Sequence, residues 1–134
     1  MKNYGYFLIF SVSILLTSCS ITQQTVKCDV NKIINPKENY PGDGTLDTAT
    51  TGQRYLITES LDNIGYPNWN IDANDNDIIE YNGSAWTVVF DSENVSDDQF
   101  TTNGFTSKQY KWTGTSWISS YEGEYNPGFW SVSL

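Results

Sequence analysis

The sequence predicts an all-β fold, a small antiparallel meander or partly closed barrel built from two related hairpins. Three observations carry that expectation. Glu80-Tyr81-Asn82-Gly83-Ser84-Ala85-Trp86-Thr87-Val88-Val89-Phe90-Asp91 sets Asn-Gly between two β-rich arms, the strongest short-range hairpin cue. The same plan returns 31 residues later as Lys111-Trp112-Thr113-Gly114-Thr115-Ser116-Trp117-Ile118-Ser119-Ser120-Tyr121-Glu122. Beyond the amino-terminal leader, no helical period of useful length occurs.

The leader opens with the short basic start Met1-Lys2-Asn3. The apolar run from Tyr4 to Leu16 is too short to span a bilayer comfortably and has the length of a signal-peptide core. Leu16-Thr17-Ser18-Cys19 then resembles the lipobox of bacterial lipoproteins: aliphatic, small, small, cysteine. The resemblance implies a signal peptide over residues 1–18, with Cys19 lipidated, as by palmitate, and made the new first residue. Ser20, where Asp would signal retention, implies an outer-membrane destination.

Residues 19–45 read as a flexible tether. Ile21, Val26, Val30, Ile33 and Ile34 follow no period, and Pro36, Pro41, Gly42 and Gly44 end the segment, with a short strand or turn around Val30 to Ile34 as the alternative there. The β domain is expected over residues 46–134. Its first strand is Gln53-Arg54-Tyr55-Leu56-Ile57-Thr58, with Arg54, Leu56 and Thr58 on one face and Tyr55 and Ile57 on the other. Leu61 to Asp77, with Gly65, Pro67 and many Asn and Asp, is a loop that Tyr66 and Trp69 pack down. Ile78 to Asp91 is the first hairpin. Ser92 to Ser107 is a polar connection with a short helical turn at Ser96–Gln99, tacked to the core by Phe100 and Phe105. After the second hairpin, Gly123-Glu124-Tyr125-Asn126-Pro127-Gly128 turns the chain into a closing strand, Phe129 to Leu134. About six strands result.

A two-residue Asn82-Gly83 loop would place Trp86 opposite Ile79 and put Ile79, Tyr81, Ser84, Trp86, Val88 and Phe90 on one face. The echo aligns Tyr110, Trp112, Thr115, Trp117, Ser119 and Tyr121. Such aromatic faces have two readings. They are core, where each buried ring contributes roughly 2–3 kcal/mol, or they are a stacking platform for flat partners such as sugars. The candidate binding surface is Tyr110, Trp112, Trp117 and Tyr121, because the echo has the richer mix of Trp and Tyr.

The formal net charge is −9, and removal of residues 1–18 with Lys2 leaves −10. That balance repels phosphate backbones, so nucleic acid is excluded as a partner. With no histidine, Ser-His-Asp and Cys-His pairs, His-bound zinc and the near-neutral proton shuttle are all ruled out. A carboxylate pair drawn from Asp72, Asp75, Asp77 and Glu80 is the remaining route to hydrolysis, and nothing in the spacing sets two of them at a working separation. No enzymatic activity and no cofactor are expected. Asp72, Asn74 and Asn76 set oxygens at alternate positions, as at the start of an EF-hand loop. Asp77 then stands where that loop needs glycine and Gly83 where it needs a bidentate Glu, so the segment reads as a solvated turn, with calcium the lesser alternative. Lipidation of Cys19 would leave Cys28 as a thiol in the tether, with an intermolecular bridge as the alternative.

Three stretches together are similar to β domains of tailed-phage virion proteins, especially those of marine T4-like phages. They are Gly52 to Ile57, Asp77 to Val88, and Gln109-Tyr110-Lys111-Trp112 leading to Gly123 through Gly128. The resemblance implies a structural or assembly role and carries no catalytic residues. Leader and resemblance together suggest a lipid-anchored envelope protein with a binding or assembly domain, its partner a protein or glycan. The alternatives are a virion component (neck, tail or decoration protein) and a carbohydrate-binding module.

Overall fold

The computed structural model describes residues 28–121. The expectations for the signal peptide, for Cys19, for the Gly123–Gly128 turn and for the Phe129–Leu134 strand lie outside the described residues. Within them the fold is all-β, with no helix and with seven strands in two sheets. The strands are β1 (Lys32–Ile34), β2 (Arg54–Ile57), β3 (Ile78–Tyr81), β4 (Trp86–Phe90), β5 (Gln99–Asn103), β6 (Lys108–Trp112) and β7 (Trp117–Ser119). The first sheet has the order β1-β2-β3-β4 and the second β5-β6-β7. Neither closes into a barrel. The first sheet is mixed rather than purely antiparallel, because β1 runs parallel to β2.

Residues 28–45 belong to the fold, not to a tether. The backbone N–H groups of Cys28 and Val30 donate to the carbonyls of Phe100 and Thr102, and Gly104 N–H donates to Val30 O. Asn31 N–H donates to Arg54 O, and β1 then pairs along β2. One short segment thus joins the edge of the second sheet to the edge of the first. Val30 and Ile34 are buried within it. Cys28 is disulfide-bonded, which corrects the expected thiol. The only other cysteine in the sequence is Cys19.

The first sheet is the central layer. Its alternation sends Tyr55, Ile57 and Ile79 to one side, where loops carrying Leu46, Leu61 and Trp69 cover them. Leu56 and Ile78 go to the other side, against Val30 and Trp112 of the second-sheet layer. The faces expected for β2 are the observed ones. Trp69 is 2% exposed and its indole Nε1 donates to Pro36 O at 2.8 Å, so it does hold the 61–77 loop down. Phe105, by contrast, is 75% exposed and tacks nothing to the core.

The hairpin register differs from the expectation. Tyr81, not Ile79, lies opposite Trp86. Asn82 Oδ1 accepts from the backbone N–H groups of Ser84 and Ala85, and Asn82 N–H donates to Ala85 O. This side-chain turn lengthens the loop from two residues to four. Ile79 lies opposite Val88 and Ile78 opposite Phe90, so Val89 is an extra residue in β4. The bulge carries Phe90 to the Ile78 side, away from Trp86 and Val88.

The second hairpin repeats the same device. Trp112 lies opposite Trp117, Thr113 N–H donates to Ser116 O, and Thr113 Oγ1 accepts from Ser116 N–H. Gly83 and Gly114 occupy equivalent places at φ +101° and +92°, a region that disfavours any Cβ. Each loop is closed by an aromatic pair tilted at 50°, Tyr81 with Trp86 at 5.4 Å and Trp112 with Trp117 at 5.5 Å between centroids.

β5 replaces the expected polar connection and the helical turn at Ser96–Gln99. Its inward residues are Gln99, Thr101 and Asn103, all buried, and Thr101 Oγ1 donates to Cys28 O.

Candidate functional site

The sequence-predicted surface divides. Trp112 is 2% exposed, its ring packs against Phe90 and Trp117, and its indole Nε1 donates to Val95 O at 2.7 Å. It is a core residue and offers no face to a ligand. Trp117 is half-buried, tilted against Phe90, with Nε1 donating to Asn76 O at 2.9 Å. It ties the second sheet to the loop that leads into β3. Tyr110 is half-buried, and Tyr121 is 88% exposed. The four rings do not assemble into a platform, because the packing of the second sheet onto the first buries Trp112 and holds Trp117 against Phe90. A separate depression of about 430 Å³ lies beside Ile118 and Tyr121, floored by the Lys111–Asp98 ion pair at 2.9 Å.

The acidic residues have structural work. Asp77 is 2% exposed and accepts three hydrogen bonds from two neighbours, with Oδ2 taking Asn74 N–H and Oδ1 taking both the N–H and the hydroxyl of Ser92. Those contacts pin the loop before β3 to the turn after β4. Asp72 Oδ1 accepts from Asn63 N–H, Asp75 Oδ1 from Ser60 Oγ, and Glu80 pairs with Arg54. Asn76 takes a left-handed backbone at φ +74° and its amide donates to Asp75. The calcium candidates Asp72, Asn74 and Asn76 therefore serve different partners. Among the described residues, no group of three His, Cys, Asp or Glu side chains is placed to hold a metal ion.

The site that sequence reading missed lies on the loop-covered side of the first sheet. A groove of about 290 Å³ opens between the first hairpin and the loops around residues 40–49 and 68–70. Tyr81 and Trp86, the pair that closes the first hairpin, form one wall. Tyr40 also lines the groove, its ring edge-on to Trp69 at 5.3 Å and its hydroxyl donating to Asn68 O at 2.7 Å. Behind them Trp86 stacks on Tyr55 at 5.3 Å and meets Trp69 at 5.2 Å, so the aromatic wall is continuous with the core. Polar groups come from Asn68, Asn70, Thr48 and Ser84, and no residue of the lining is charged. Asn70 holds a left-handed backbone at φ +51°, with its N–H donating to Pro67 O.

One hairpin device is thus used twice, each copy with one buried and one half-buried ring. The first copy's rings also line a groove, whereas Trp117 of the second packs on Phe90 and bonds to Asn76 O. Loops without periodicity build half of the groove, which is why hydrophobic patterning did not reveal it. The crowding of Tyr66, Asn68, Trp69 and Asn70 in one loop was the available signal.

Comparison with protein-family models, with curated proteins and with solved structures finds no match for this chain.

Proposed function

We propose that the chain is a non-enzymatic, lipid-anchored protein of a bacterial envelope, whose β domain binds or assembles with a protein or glycan partner. The leader carries this reading: a basic start and an apolar run end in Leu16-Thr17-Ser18-Cys19, and Ser20 favours the outer membrane. An acyl chain contributes about 0.8 kcal/mol per buried CH₂, whereas a chain of net charge −9 gains nothing from anionic headgroups. The engagement of Asp77, Asp75, Asp72 and Glu80 in local hydrogen bonds and an ion pair supports a binding role over a hydrolytic one.

The disulfide at Cys28 sets the competing case. An intramolecular bridge and a thioether-linked lipid would use the same Cys19 sulfur, since the sequence holds no third cysteine. Labelling with radioactive palmitate in a bacterial host, followed by mass analysis of the mature protein, separates the two. The expected result is a labelled protein whose label is lost in Cys19→Ala. Unlabelled protein that yields a Cys19–Cys28 disulfide peptide overturns the anchor.

The second reading is a virion structural component. It rests on the resemblance of the β2 segment and the first hairpin to tailed-phage virion domains. Detection of the protein in purified particles, still carrying residues 1–18, would favour it over the envelope.

A further inference from the structure

We propose that the groove between the first hairpin and the loop layer binds a neutral sugar ring of a glycan. The proposal rests on reading the domain as a binding module and names the class of ligand. Charge is the first argument. The chain carries 23 charged side chains among 134 residues, yet none lines this groove. An anionic ligand finds no cation there and meets the repulsion of the whole chain; a cationic one finds no carboxylate.

Shape and hydrogen bonding supply the rest. Half-buried Tyr81 and Tyr40, joined through the contacting rings of Trp86 and Trp69, contribute aromatic surface to a space of about 290 Å³. That volume lies just under the lower limit of ligand sites, which run from roughly 300 to 1,000 Å³, and suits a single ring. A pyranose ring has apolar C–H faces to set against such rings and hydroxyls around its rim. Each hydroxyl both donates and accepts, and so does each side-chain amide. The exposed amides of Asn68 and Asn70 and the Thr48 hydroxyl make no hydrogen bond among the described residues and remain available to ligand hydroxyls. Ser84 Oγ donates to Asn82 Oδ1 and keeps its lone pairs as acceptors. A purely apolar guest would leave these groups facing it unpaired, and a nucleotide would bring phosphate.

The test uses the full chain, exported and purified in an amine-oxide detergent that contains no sugar. It is probed on an array of neutral oligosaccharides beside sulfated and sialylated counterparts, with calorimetry on the strongest neutral hit. Binding to neutral glycans is expected. Tyr81→Ala should weaken it at least tenfold. Asn70→Gly, which keeps the left-handed backbone and touches no core contact, should weaken it three- to tenfold with an unchanged thermal midpoint. Ile118→Ser, beside the other depression, should leave it unchanged. Should Tyr81→Ala unfold the chain, Asn70→Gly decides. Absence of neutral-glycan binding, preference for the anionic counterparts, or a loss in Ile118→Ser with none in Asn70→Gly overturns the proposal. A palmitate-labelled protein that binds no neutral glycan sinks only the groove; glycan binding by an unlabelled protein sinks only the anchor.

Discussion

Replacing Trp112 by alanine separates the two uses to which a surface-like aromatic motif can be put. The side chain is 2% exposed, lies edge-on to Phe90 at 5.5 Å, tilts against Trp117 at 5.5 Å, and donates its indole N–H to Val95 O. Truncation of such a residue costs about 3–5 kcal/mol. A small domain has a total stability of about 5–15 kcal/mol, so Trp112→Ala removes a large share of it. Trp112→Phe keeps a ring against Phe90 and loses the hydrogen bond, for which about 1–2 kcal/mol is expected, the upper part coming from the orphaned carbonyl. Urea denaturation followed by far-ultraviolet circular dichroism reads both without relying on tryptophan emission. The midpoint should fall slightly in Trp112→Phe and steeply in Trp112→Ala, while glycan affinity of the folded Trp112→Phe protein stays at the parent value. An alanine variant with an unchanged midpoint and lost ligand binding would refute the reasoning and return Trp112 to the surface.

Three further outcomes follow from the same structure. Gly114→Ala should destabilise by about 1–2 kcal/mol, because φ is +92° and the new Cβ would meet Ser96 O at 3.0 Å; a denaturation midpoint equal to the parent's would contradict the loop geometry. Thr101→Val keeps the shape of a fully buried residue but removes the donor to Cys28 O, so a loss of about 1–2 kcal/mol is expected by the same assay, and a stabilised variant would contradict it. Tyr55 is buried, and burial first, with the nearby Asp47 carboxylate second, raises its phenol above the ordinary value of 10.0. The folded state holds that proton more tightly than the unfolded chain does. Its contribution to stability is therefore complete below pH 10 and is lost as pH rises through the folded value; Tyr55→Phe should flatten that alkaline decline in a series of denaturation curves.

The hairpins were legible because their information is local. Gly83 and Gly114 had to sit where φ is positive, and the 31-residue echo reappears as two loops closed by equally tilted ring pairs. Register was not legible, since it depends on whether the Asn82 side chain bonds to the backbone two and three residues on, which adds two residues to the loop. Strand β5 was hidden by its polarity: Gln99, Thr101 and Asn103 face inward, where patterning expects apolar residues. The role of residues 28–34 was hidden by distance, because their partners lie about seventy residues away at Phe100 and Thr102. The groove is invisible for a related reason, as Tyr40, Asn70 and Tyr81 converge only once two irregular loops have folded over the sheet.

That long-range stitch between Val30 and Asn103 also orders events in time. During synthesis the segment around Val30 is made long before its partner, because its place beside β5 does not exist until residue 103 has been made. The four strands of the first sheet are complete by Phe90, so that sheet has all its strands before the clamp onto the second sheet has anything to hold.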